Sequence, residues 1–213
     1  MPIRRDSKSI ALLAVFTAMI VALEAVSIPF LTDIYVVGNF TIDWTGIVIF
    51  IIFLGLGTTF SLISVAVMWI SIAYRSIAGA TFKGVAEILT LIGLIAAQHI
   101  SRRLGLDRTR QLILFIVLGC LFRAVGMLFA NVILLPFFYG MTIELAIAGS
   151  WVYLPWNIVQ AIINVVGGWT LYNLIPDELI MQAGFGEKYQ KDSVGDTDLI
   201  PEEDGTTIDT TRD

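Results

Sequence analysis

The sequence predicts an all-α integral membrane protein with six transmembrane helices, and three observations carry that prediction. Hydrophobic residues fill 57% of the 213 positions and charged residues only 15%, against roughly 25% charged in an average soluble domain. Mean hydropathy is +0.84. The apolar residues are gathered into runs suited to helices, since crossing about 30 Å of hydrocarbon at about 1.5 Å per residue takes roughly 20 residues. The shorter alternating segments of a lipid-facing barrel do not occur.

In chain order the runs cover residues 10–28, 45–57, 59–77, 82–100, 112–135 and 151–175. The first follows Arg4, Arg5 and Lys8 and ends near Ala22 and Ala25, as a secretory signal would. Its apolar core of about 19 residues exceeds the 7 to 15 of a signal, so it is expected to be retained. The second is short, and the break at Gly55 and Gly57 followed by threonines suits a tight helical hairpin or a partly inserted helix.

Basic residues set the expected orientation. Arg4, Arg5 and Lys8 flank the first run, and Arg102, Arg103, Arg108 and Arg110 crowd the link between the fourth and fifth. The excess of Lys and Arg on cytoplasmic loops puts both segments inside, and with six spans both termini as well. The chain then divides into a cytoplasmic segment, 1–9, a six-helix membrane domain, 10–176, and a cytoplasmic tail, 177–213. The net charge of −5 is unevenly spread: residues 177–213 hold 11 acids and 3 bases, and the 176 residues before them 7 acids and 10 bases. With no apolar periodicity, the tail reads as solvated and disordered.

Enzyme chemistry finds little material. There is no GxxxxGK[ST] loop to cradle a phosphate and no HExxH or CxxC metal pattern. One histidine, His99, and one cysteine, Cys120, do not make a nucleophile with its base. No catalytic residue, metal, cofactor or nucleic-acid partner is expected.

Polar residues inside the runs point elsewhere. An amide in hydrocarbon costs free energy unless it is paired or lines a cavity, and this chain places Asn131 in the fifth run and Asn157 and Gln160 in the sixth. Lys83 and Glu87 are four apart on one face of the fourth helix; Asn157, Gln160 and Asn164 share a face of the sixth. With Glu24 and Arg123, they favour the outer half of the membrane. A pocket open to the outside and walled by Trp44, Tyr139, Trp151 and Trp156 would suit a planar polar heterocycle. Two readings stay open, since amides also join membrane helices, Lys83 and Glu87 also make a plain pair, and Trp and Tyr also form interfacial belts. Ala14, Ala18 and Ala22, with Ala11 and Ala25 close by, form a smooth stripe on the first helix for packing inside the chain or against a partner.

Four segments carry a family resemblance. RAVGMLFANVILLPFFYG (123–140) and YLPWNIVQAIINVVGGWTLYNLI (153–175) are the strongest, TIDWTGIVIF around Asp43 and FKGVAEILTLIGL around Glu87 the weaker. Together they resemble the substrate-binding S components of energy-coupling factor (ECF) transporters, and among them the riboflavin-specific type. The resemblance implies six helices in a prokaryotic cell membrane and high-affinity binding of a vitamin from outside. Delivery would need a separate transmembrane coupling subunit and two cytoplasmic ATPases. It also implies substrate contacts at Asn131, Asn157, Gln160 and Glu87, with Lys83 and Asp43 beside them, and coupling-subunit contacts at Ala14, Ala18 and Ala22. The chain departs from the pattern at Gln160, where the family usually has lysine. It also lacks the proline and second acid that usually follow the Asp43 motif, and Ala86, Glu87 and Thr90 replace a Gly-Glu with a later Asn. The alternatives to riboflavin are another vitamin or nucleobase-like compound, or a passive channel or structural membrane subunit.

Overall fold

The computed structural model describes residues 7–26, 33–38 and 40–176. Helices form at all six predicted runs: α1 (Ser7–Ala25), α2 (Thr45–Gly55), α3 (Thr58–Ala73), α4 (Ile77–Leu104), α5 (Arg108–Tyr139) and α6 (Ile143–Leu174). Four of them, α1, α4, α5 and α6, are long and apolar enough to cross a membrane, whereas α2 and α3 have 11 and 16 residues. The expectations for residues 1–6, for the end of the first run at 27–28 and for the acidic tail lie outside the described residues.

Helix ends differ from the apolar runs for a local reason. α4 begins at Ile77 because Ser76 caps it, its Oγ accepting from Gly79 N at 3.0 Å. α6 begins at Ile143, eight residues before the apolar run, behind the Thr142 cap and with Glu144 in its first turn. Both caps satisfy free N–H groups, and Glu144 also favours the dipole of α6. Capping of this kind sets a helix start by hydrogen bonding and not by hydropathy, so an apolar run does not mark it.

Between α1 and α2 the chain forms a β-hairpin whose strands are too short to stand out as apolar runs. Strands β1 (Asp33–Val37) and β2 (Phe40–Asp43) pair antiparallel, Ile34 opposite Ile42 and Tyr35 opposite Thr41, with an irregularity between Tyr35 and Val37. β-Branched and aromatic residues on both sides of the Gly-Asn dipeptide at 38–39 are the sequence signal for it. Gly38 sits in the turn at φ 54°, and a Cβ there would press on the Tyr153 hydroxyl. Glycine answers both demands, the left-handed backbone and the close approach of α6.

α2 is the centre of the bundle. Ten of its 11 residues are buried, so it is apolar on every side because protein, not lipid, surrounds it. α6, α3 and α1 pack around it; α4 lies against α3 and α5, and α5 against α6. Gly46 makes the tightest approach, since a Cβ there would overlap the Asn164 amide of α6. Below it, Phe50, Phe53 and Phe115 form a T-shaped aromatic cluster, with Phe115 at 5.7 Å from Phe50 and 6.3 Å from Phe53 between ring centroids. Met68, Leu91, Leu94 and Val165 are fully buried in the same cluster. This core fills the half of the bundle nearer the α4–α5 turn and leaves the hairpin half for a cavity.

Candidate ligand site

The cavity measures about 450 Å³ and is lined from every side of the hairpin half, within the range of pockets for drug-sized ligands. α5 supplies a complete stripe at helical spacing: Arg123, Met127, Asn131, Leu135 and Tyr139. α4 adds Gly79, Phe82, Lys83 and Ala86; α6 adds Tyr153 and Asn157; the hairpin adds Tyr35, Phe40 and Thr41. Glu24, Ile72, Arg75, Ser76 and Met141 complete the wall. Two aromatic pairs stack in this lining, Phe40 with Tyr153 and Phe82 with Tyr139, each with centroids 6.2 Å apart.

Two buried polar networks support the wall. In the first, Lys83 Nζ forms ion pairs with Glu24 Oε1 and, at 3.0 Å, with Asp43 Oδ2. Thr45 Oγ1 donates to Glu24 at 2.6 Å, and Thr45 N donates to Asp43 Oδ1 at 2.9 Å. One lysine thus ties α1, the end of β2, the start of α2 and α4 together. Burial pushes the Asp43 carboxyl up, but the Lys83 charge and hydrogen bonds from Lys83 and Thr45 outweigh it and hold the group below the usual carboxylate value. Arg75 Nη2 donates to the Glu24 backbone carbonyl at the rim.

The second network is a chain of amides ending on an ion pair. Arg123 Nη1 donates to Glu87 Oε1 at 2.7 Å and to Thr90 Oγ1 at 3.2 Å, and its Nε reaches Asn157 Oδ1 at 3.4 Å. Asn164 Nδ2 donates to Glu87 Oε1 at 3.2 Å, and Gln160 Nε2 donates to Asn164 Oδ1 at 2.8 Å. Gln160 also brackets the Asp43 backbone: Nε2 donates to its carbonyl at 2.8 Å, and Oε1 accepts from its N–H at 3.2 Å. Every polar atom of that amide is used by protein.

Against this frame the predicted residues separate. Asn131, Asn157 and Lys83 line the cavity, whereas Gln160, Glu87 and Asp43 stand behind its wall. The i,i+4 relation of Lys83 and Glu87 does not become a contact: each pairs across helices instead, Lys83 with Glu24 and Asp43, Glu87 with Arg123. Of the four predicted aromatic walls only Tyr139 is in the lining, with Trp151 61% exposed on the outside. Tyr35, Phe40, Phe82, Met127, Arg75 and Tyr153 are lining residues that sequence reasoning missed. The α5 members were within reach, because counting in fours from Arg123 generates the stripe; the hairpin members needed the hairpin. Ala14, Ala18 and Ala22 are exposed, together with Ala11 and Ala25.

Asn131 stands apart from the other amides. It is only 3% exposed and lines the cavity, and among the described residues its side chain has no hydrogen-bond partner. The side-chain atoms sealed from solvent without a partner are others, Thr17 Oγ1, Ser101 Oγ and Gln111 Nε2 among the described residues, so the Asn131 amide is reached from the cavity and keeps its donor and acceptor free for a molecule inside it. A ligand edge that supplies a donor and an acceptor matches it.

Neither a protein-family model nor a curated relative matches the sequence. Among solved structures, the chain is similar to the crystal structure at 2.1 Å of the S-component for biotin from an ECF-type ABC transporter, at 21% sequence identity and a TM-score of 0.51, over 84% of this chain and 98% of that one. The chain has the S-component fold. That fold, with four apolar helices of spanning length, makes the chain a multi-pass membrane protein. At this identity the likeness is one of architecture alone.

Proposed function

We propose that the chain is the substrate-binding S component of an ECF transporter, with its cavity facing outside and riboflavin as its ligand. The observation that carries this reading is the unpaired Asn131 amide in a cavity bordered by two stacked aromatic pairs. A planar ring system with hydrogen-bonding edges matches it, because the ring stacks while its edge pairs with the amide.

Charge separates riboflavin from its nearest rival. The fold neighbour takes biotin, whose carboxylate would need an uncompensated cation. Here the lining charges Glu24, Arg75, Lys83 and Arg123 stand with Asp43 and Glu87 directly behind, three acids against three bases. The sum is neutral, which favours an uncharged ligand, and Arg75 at the rim, bonded to a backbone carbonyl and to no carboxylate among the described residues, is the position a ligand carboxylate would seek. The test is direct: protein purified from cells with flavin available should be yellow, and equilibrium titration should show riboflavin binding well ahead of biotin. Colourless protein that binds biotin and ignores riboflavin would transfer the assignment to the second vitamin.

Asn131→Leu should weaken riboflavin binding by about thirtyfold, the equivalent of roughly 2 kcal/mol in lost hydrogen bonds, with thermal stability kept. Asn157→Leu should weaken binding and also lower stability, because Asn157 Nδ2 donates to Tyr153 O at 3.0 Å and its Oδ1 meets Arg123. Unchanged affinity in Asn131→Leu sinks the site.

The proposed assembly adds a coupling subunit and two ATPases, since the chain has no phosphate-cradling loop of its own. The exposed stripe of Ala14, Ala18 and Ala22 supports α1 as the docking helix. Ala18→Trp should abolish transport by the assembled complex while the isolated protein keeps its ligand affinity; loss of both would return the stripe to internal packing. Six spans, cytoplasmic termini and a prokaryotic cell membrane belong to the same proposal.

A further inference from the structure

The α4–α5 turn concentrates positive charge that the ligand site does not use. Arg102, Arg103, Arg108 and Arg110 are exposed there, and the one acid among them, Asp107, pairs with Arg110 at 3.1 Å. Arg108 and Arg103 have no acidic partner among the described residues: Arg108 Nη2 donates instead to Asn173 Oδ1. That contact seats the last turn of α6 against the basic turn. Helix α6 ends at Leu174, and from Asp177 onward the chain carries 11 acids and 3 bases.

We propose that residues 177–213 of the same chain dock on the α4–α5 turn, with Asp177 and Glu178 nearest Arg103 and Arg108. Reach requires little, because Glu178 lies four residues past Leu174 and so within about 14 Å of it in any conformation. Charge complementarity supplies the attraction, a balance of +3 over residues 102–110 against −8 over residues 177–213. Covalent attachment holds the partner at an effective concentration on the order of millimolar. The anionic headgroups of the adjacent leaflet are the competing occupant; unlike the tail, they carry no tether to Arg108.

The test keeps the full chain in an uncharged detergent. Phenylglyoxal modifies accessible guanidinium groups, and peptide mass spectrometry reads its rate at Arg103 and Arg108, with the exposed Arg75 at the far end of the bundle as internal reference. The comparison is with a variant carrying Asp177→Asn, Glu178→Gln, Glu202→Gln, Glu203→Gln and Asp204→Asn. At about 0.02 M salt, Arg103 and Arg108 should react roughly fivefold slower in the natural chain than in the variant, and at 1 M salt the two should converge as screening shortens to about 3 Å. Equal rates at low salt overturn the proposal. So does protection that appears only when anionic lipid is added and is the same in both chains, which assigns the turn to headgroups.

Discussion

Arg123→Met will lower stability by about 3–5 kcal/mol, because it leaves the Glu87 carboxylate buried without its cation. Arg123 and Glu87 are 4% and 2% exposed, and their 2.7 Å contact is the end point of a network running through Thr90, Asn157, Asn164 and Gln160. The measurement is a thermal or denaturant unfolding curve in detergent, with and without ligand. A control separates charge from packing: Arg123→Met/Glu87→Gln removes the stranded carboxylate and should be more stable than Arg123→Met alone. If the double variant is the less stable of the two, the carboxylate has found another counter-charge and the network is not built as described.

Lys83→Met should cost a similar amount, about 3–5 kcal/mol, and should abolish ligand binding as well. The lysine is shared by Glu24 and Asp43, so removing it leaves two buried carboxylates facing one another beside the cavity. Thr45 can donate its hydroxyl to Glu24 but supplies no charge. Neutralising one acid, in Lys83→Met/Asp43→Asn, should restore part of the stability. A Lys83→Met protein with native stability and no ligand affinity would point the other way, to a lysine whose charge serves the ligand and not the hairpin.

The two variants also show what could be read in advance. Six helices were legible because burial in a bilayer forces long apolar runs, and Asn131, Asn157 and Lys83 were legible as cavity residues because hydrocarbon makes any polar side chain conspicuous. Which polar residue faces a ligand and which faces another helix was not, because that depends on partners distant in sequence. Gln160 is the instructive residue: its shared face with Asn157 and Asn164 was plain from spacing, but its bond to the Asp43 backbone spans 117 positions. The resemblance gave that position a cation, and the amide that replaces it fits both the N–H and the C=O of Asp43, which an ammonium group, with donors only, could not. The hairpin was missed for a related reason: strands of five and four residues, nine in all, leave no mark on a 20-residue hydropathy scale.

The aromatic cluster under α2 has a consequence for permeation. Phe50, Phe53 and Phe115 interlock across the middle of the bundle, and Met68, Leu91, Leu94 and Val165 close the spaces around them with no side chain more than 1% exposed. A layer of this density leaves no file of water and no polar groups to replace an ion's hydration shell. Reconstituted alone, the protein should therefore behave as an electrical insulator: vesicles holding it would keep an imposed proton gradient as long as empty ones. Whatever enters the cavity meets the Arg123–Glu87 network first, and behind it a hydrocarbon layer.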